Sequence, residues 1–110
     1  MANTFKNKLT ANVGVSPSTV YTSPALTTAT VIGVNVANTT ANNITVDVQI
    51  TDNSTSTTVY LIKSAIITPG GALVLVGGDQ KVVLEPSDYI RVTSSAATSA
   101  DVVVSVLEIS

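Results

Sequence analysis

Hydrophobic and polar positions alternate with a period of two along most of this chain. The clearest run is Ile44-Thr45-Val46-Asp47-Val48-Gln49-Ile50-Thr51, in which every second residue is aliphatic and the others are polar. Side chains of a strand point alternately to opposite faces, so the run predicts a strand with one face buried and one wet. Ahead of it, Ile32, Val34 and Val36 share one parity. The link Thr39-Thr40-Ala41-Asn42-Asn43 suits a turn and neither strand nor helix interior. The pattern predicts a central antiparallel pair, residues 27–38 and 43–52. Its inner face would carry Ile32, Val34, Val36, Ile44, Val46, Val48 and Ile50.

Breakers divide the rest of the chain in the same way. Ser16-Pro17-Ser18, Ser23-Pro24, Thr68-Pro69-Gly70-Gly71, Gly77-Gly78-Asp79-Gln80 and Glu85-Pro86-Ser87 read as turns, and residues 52–57 as a polar hairpin tip. Leu73-Val74-Leu75-Val76 is apolar on both parities, which predicts a strand packed on both faces. Ile90 and Val92 share one face of the next-to-last strand, with Tyr89 and Arg91 on the other, and residues 101–110 form the last strand. Seven or eight short strands, turning about every 8–12 residues, predict an all-β chain, an antiparallel sandwich or a small barrel, with a single antiparallel β-sandwich the favoured topology. Immunoglobulin-like and jelly-roll orders both fit the pattern. Residues 1–10, with Phe5 and Leu9 as their apolar anchors, read as an N-terminal arm leading into a first strand near Lys8–Val15, and residues 11–110 as the sandwich domain.

Composition sharpens this and removes most chemistry. The chain has 110 residues, enough for one domain. Charged residues are 11% of it, under half the usual share of about 25%, and Val and Thr dominate over helix formers. The net charge is -2 with no basic stripe, so no nucleic-acid partner is expected. No apolar run approaches the roughly 20 residues of a membrane span, and the first residues lack the pattern of a secretory signal. Cysteine and histidine are both absent. That excludes disulfides, thiolate metal sites and the commonest general base. No catalytic, cofactor-binding or metal-ligating residue is expected.

The weaker chemical signals reduce to structure. A Ser-Lys pair using Lys63 or Lys81 has no supporting motif. Asp79, Glu85 and Asp88 lie around one corner, but glycoside hydrolysis on paired carboxylates also needs an aromatic-walled cleft, and the chain has four aromatics. The segment Asp52-Asn53-Ser54-Thr55-Ser56-Thr57 has one carboxylate, too few for a calcium loop. Gly77-Gly78 lacks the following helix of a phosphate cradle. Three Asn-x-Ser/Thr matches, at Asn38, Asn43 and Asn53, are what an Asn- and Thr-rich chain contains by composition.

A resemblance points further. Pro69-Gly70-Gly71, the run Leu73-Val74-Leu75-Val76, Val83-Leu84-Glu85 with Asp88, Ile90 and Val92, Ser94-Ser95-Ala96-Ala97 and the ending Val104-Ser105-Val106-Leu107-Glu108-Ile109-Ser110 resemble small virion structural proteins of tailed bacteriophages, including cyanophages. In the first half, Val20-Tyr21-Thr22-Ser23-Pro24 and Val36-Ala37-Asn38 fit as well, so the resemblance covers residues 20–110. Pro86-Ser87 stands where Ala-Gly is expected before the Asp. The resemblance implies a non-enzymatic virion component that binds other virion proteins, capsid or tail. A capsid decoration or cement protein present in many copies leads, ahead of a neck, tail or baseplate piece. A receptor- or glycan-binding fibre module and a cellular adhesin are the other classes, disfavoured by loops without aromatics and by the missing Cys. The implied location is the virion, assembled in the host bacterial cytoplasm, and the implied state a homo-oligomer, a trimer. Phe5 with Lys6 and Lys8 beside it is the expected partner-binding segment.

Overall fold

The computed structural model describes residues 3–76 and 81–110. The expected turn at Gly77-Gly78, with Asp79 beside it, lies outside the described residues. The described residues form nine strands: β1 (Asn3–Val13), β2 (Ser18–Thr22), β3 (Thr28–Asn38), β4 (Ile44–Asp52), β5 (Thr57–Ile67), β6 (Ala72–Val76), β7 (Val82–Leu84), β8 (Tyr89–Ser94) and β9 (Ala100–Ile109). The described residues contain no helix. The strands form two antiparallel sheets stacked as a sandwich. One runs β1-β9-β3-β6 with β7 also on β3, and the other runs β2-β8-β4-β5.

This order decides between the two sandwich types. β6 and β7 pair with successive parts of β3 and act as one interrupted strand. The pairs are then first with last, second with next-to-last, and so inward to the β4-β5 hairpin. Such a folded ribbon of pairs is the jelly roll.

Two expectations change. β3 and β4 are not a hydrogen-bonded pair: they belong to opposite sheets. Both carry a one-sided apolar face, which sheet-on-sheet packing satisfies as well as pairing does. Their link is a crossover between sheets, held by Asn38. The Asn38 side chain donates to the carbonyls of Asn42 (2.8 Å) and Ile67 (2.9 Å), and its oxygen accepts from the Thr40 amide and hydroxyl, both at 2.8 Å. Its backbone amide donates to Gly71 (2.9 Å), and the Gly70 amide donates to its carbonyl at 3.2 Å. Gly70 takes a φ of 71°, the left-handed conformation that the Pro69-Gly70 turn predicts.

Ile32 is the second correction. The β3-β9 register shifts between Val31 and Gly33, a bulge that reverses parity. Ala29 and Val31 face inward before it and Val34 and Val36 after it, while Ile32 is only half-buried. β4 keeps its alternation: Ile44, Val46 and Val48 are buried, and Ile50 packs partly against the core. Ile90 and Val92 of β8 and Val102, Val104 and Val106 of β9 complete the inner layers.

The arm is a strand. Asn3–Thr10 lies in continuous register against Ile109–Val102. Of β1 only Val13 is buried, so the strand is held by main-chain hydrogen bonds and by its ends. Its apolar content is low because an edge strand adds little to the core.

Candidate interaction surface

The two outer faces of the sandwich differ in chemistry. On the β2-β8-β4-β5 sheet the outward side chains include Thr45, Asp47, Gln49, Thr93 and Arg91. The Arg91 guanidinium lies 4.6 Å from the Tyr89 ring centre and donates to Thr19 at 3.2 Å. Lys63 lies 4.6 Å over Tyr60, and Asp47 accepts from the Ser64 amide at 2.7 Å. Each of these charges has a partner, Tyr60 and Tyr89 are covered by cations, and Ile66, 67% exposed, stands beside Thr45 as an apolar residue of this face.

The outer face of the β1-β9-β3-β6 sheet is apolar. Register places Phe5 beside Leu107, Leu107 beside Thr30 and Thr30 beside Val83 in one row. Leu9, Val103, Asn35 and Val74 form another. Phe5 is 74% exposed, Val74 67%, Leu9 64%, Val83 60% and Val103 38%. Between the rows lie Asn7, Ser105 and Gly33, beside a shallow depression lined by Phe5, Lys6, Asn7, Ile32, Ser105 and Val106. A Cβ added at Gly33 would sit 3.8 Å from the Val76 carbonyl and 3.9 Å from Ser105 Cβ, ordinary contact distances. Among the described strand residues the one charge of outward parity is Asp101, at the end of the face, where its carboxylate accepts from the Asn12 amide at 3.0 Å.

The three residues expected to bind a partner separate. Phe5 points onto this face. Lys6 and Lys8 have the opposite parity and turn toward the other sheet, at the margin of the sandwich. Lys6 pairs with Glu108 at 3.3 Å, and Lys8 lines a cleft beside Thr19 and Thr22 of β2. Glu108 is buried and accepts from the Tyr21 hydroxyl at 2.6 Å. Lys6, Glu108 and Tyr21 thus clasp β1, β9 and β2, joining the two sheets. Burial, the Glu108 hydrogen bond and its charge together hold the Tyr21 phenol well above its ordinary pKa.

One acidic group forms that sequence spacing conceals. Asp52, from the end of β4, meets Glu85 and Asp88, with one carboxylate oxygen of each within 4.8 Å of the others. Asp79 lies outside the described residues. Asp88 is occupied by the backbone: its two oxygens accept from the amides of Asn53 and Glu85, each at 3.0 Å. Asp52 accepts from the Ser54 hydroxyl at 2.7 Å and its amide at 3.0 Å, and these bonds lower its pKa. The group staples the 53–56 hairpin tip to the corner at residues 85–88.

The exposed apolar residues missed by sequence reasoning had a signal. Leu73-Val74-Leu75-Val76, Val82-Val83-Leu84 and Val102-Val103-Val104 are each apolar on both parities. Two-sided burial was expected of the first. The structure buries one side of it and leaves Val74 open.

The fold class defined by this topology, the jelly roll, occurs in viral capsid and lectin domains. The chain is similar to one from the crystal structure of the T13 IBDV viral particle, at 12% identity and a TM-score of 0.58. The likeness covers 96% of this chain and 30% of that one. No protein-family model and no curated protein matches the chain.

Proposed function

We propose that the protein is a non-enzymatic virion structural component of a tailed bacteriophage, and within that class a capsid decoration protein bound to the particle in many copies. The observation that carries the reading is the jelly roll itself, similar over 96% of the chain to part of a viral-particle protein. The resemblance of residues 20–110 to small phage virion proteins supports it from the sequence side. The asymmetry of the faces supports it from the surface side. A structural component works through persistent contacts, and one broad face here exposes Phe5, Leu9, Val74, Val83 and Val103, with Asp101 the one outward charge among its described strand residues. The acidic group of Asp52, Glu85 and Asp88 has a structural task, since both Asp88 oxygens are engaged by backbone amides. Purified particles labelled with antibody against the protein, viewed by electron microscopy, test the assignment. Label over the head is expected. Label at the neck, tail or baseplate would replace decoration with that location, and unlabelled particles would end the virion reading.

A further inference from the structure

Three strands of the β1-β9-β3-β6 sheet have the sequence of strands covered on both sides. In the single chain one side is covered. Val74, Val83 and Val103 form the open side with Phe5 and Leu9. We infer that a second copy of the chain covers this face, related by a two-fold axis, with Phe5 of each copy seated in the depression beside Gly33 and Ser105 of the other.

Self-pairing follows from the chemistry of the face. Among the described strand residues its outward charge is Asp101 at one end, and Lys6 at the depression is paired with Glu108, so a face meeting its own copy encounters little like-charge repulsion. Its polar residues, Asn7, Thr30, Asn35 and Ser105, each both donate and accept, which lets them pair with themselves. The projecting ring and the hollow occupy the same face. A two-fold axis lying between the stacked sheets, midway between knob and hollow, exchanges them and makes both contacts at once. Stacking two sheets with interdigitated side chains is also how the chain builds its own core. Four strands by about ten residues span roughly 600 Å² in projection, near the roughly 800 Å² per partner of a standard interface.

Two of the sheet edges, β1 and β5, are built against pairing. β1 carries Lys6 and Lys8 and is interrupted at Asn12, with a φ of 60°. β5, the edge of the other sheet, carries Lys63 and a left-handed Ser64 with a φ of 55°. Lysines and irregularities of this kind blunt a sheet edge. The open face has no such device. A two-fold contact closes at two copies and differs from the trimer implied by the resemblance. The inference concerns the isolated chain and stands whether or not the virion reading holds.

Sedimentation equilibrium of the full chain, from about 1 to about 100 µM, tests it. A reversible monomer–dimer equilibrium is expected. Phe5→Ser, removing the knob, and Gly33→Val, filling the hollow, should each raise the dissociation constant at least about tenfold, as loss of a central anchor does. Thermal melting at a concentration where the parent is monomeric should be nearly unchanged, since Phe5 is exposed and a Cβ at Gly33 meets ordinary contacts. A chain monomeric at the highest concentration would overturn the inference and leave the face to another virion protein. So would a trimer, or a dimer that neither substitution weakens.

Discussion

Asn38→Asp is the sharpest test of the crossover that joins the two sheets. The substitution keeps the shape of the side chain and changes its hydrogen-bonding character. Asn38 is 2% exposed, and its amide nitrogen donates to two carbonyl oxygens, of Asn42 and Ile67, at 2.8 and 2.9 Å. A carboxylate there loses both bonds and sets negative charge against two carbonyl oxygens with no water to intervene. At about 1–3 kcal/mol for each unsatisfied group, the cost is about 2–5 kcal/mol. A domain of this size has about 5–15 kcal/mol in total, and each kcal/mol moves the midpoint by roughly 4–8 °C. Thermal unfolding followed by circular dichroism at neutral pH should therefore show a drop of roughly 10–30 °C. Asn43→Asp, on the exposed part of the same link, should change stability by no more than about 0.5 kcal/mol. If both variants melt within about 2 °C of the parent, the link is a solvated turn and the crossover account is wrong.

Other consequences follow from the same geometry. Val31→Asp and Val46→Asp each place an unpaired charge in the sandwich and should abolish the folded circular dichroism signal, whereas Ile32→Thr, at the bulge, should cost less than about 1.5 kcal/mol in a denaturant titration. Tyr21→Phe removes the hydroxyl that serves buried Glu108 and should cost about 1.5–3 kcal/mol at pH 7. The Tyr21 phenol is raised in the fold, so its contribution is complete below the unfolded value near pH 10 and is lost as pH rises above it; urea midpoints from about pH 8 to about pH 11 should show this alkaline loss shrink in the variant. Leu26 has a φ of 60° and is 91% exposed, so Leu26→Gly should raise the urea midpoint by the equivalent of about 0.5–1 kcal/mol, the relief of left-handed strain less the entropy of glycine.

The strands and their inner faces were largely legible in the sequence, because burial on one side leaves a period-two trace. Ile44, Val46 and Val48 lie where that trace puts them. Pairing was not legible. β3 and β4 carry the same pattern whether they share a sheet or face each other, and the choice rests on Asn38, whose partners at Ile67 and Gly71 are distant in sequence. The bulge at Ile32 was hidden because both parities there are aliphatic, so reversal leaves no mark. The first part of β1, ahead of the strand expected from Lys8, was hidden for a different reason: main-chain bonds to β9 order an edge strand without any apolar alternation. Phe5 was expected to bind a partner from its place ahead of any convincing strand, and it is exposed. Lys6 and Lys8 were grouped with it because neighbours in sequence look like neighbours on a loose arm, whereas on a strand they point the opposite way. The acidic group at Asp52, Glu85 and Asp88 needed the register of two loops that sequence does not reveal.

The claim at the centre of this account is that the chain is a building part of a phage particle. Quantitative mass spectrometry of gradient-purified particles measures it directly. The account predicts the protein in many copies per particle, at a constant ratio to the major capsid protein across the particle band. A protein abundant in the lysate and absent from that band would contradict it.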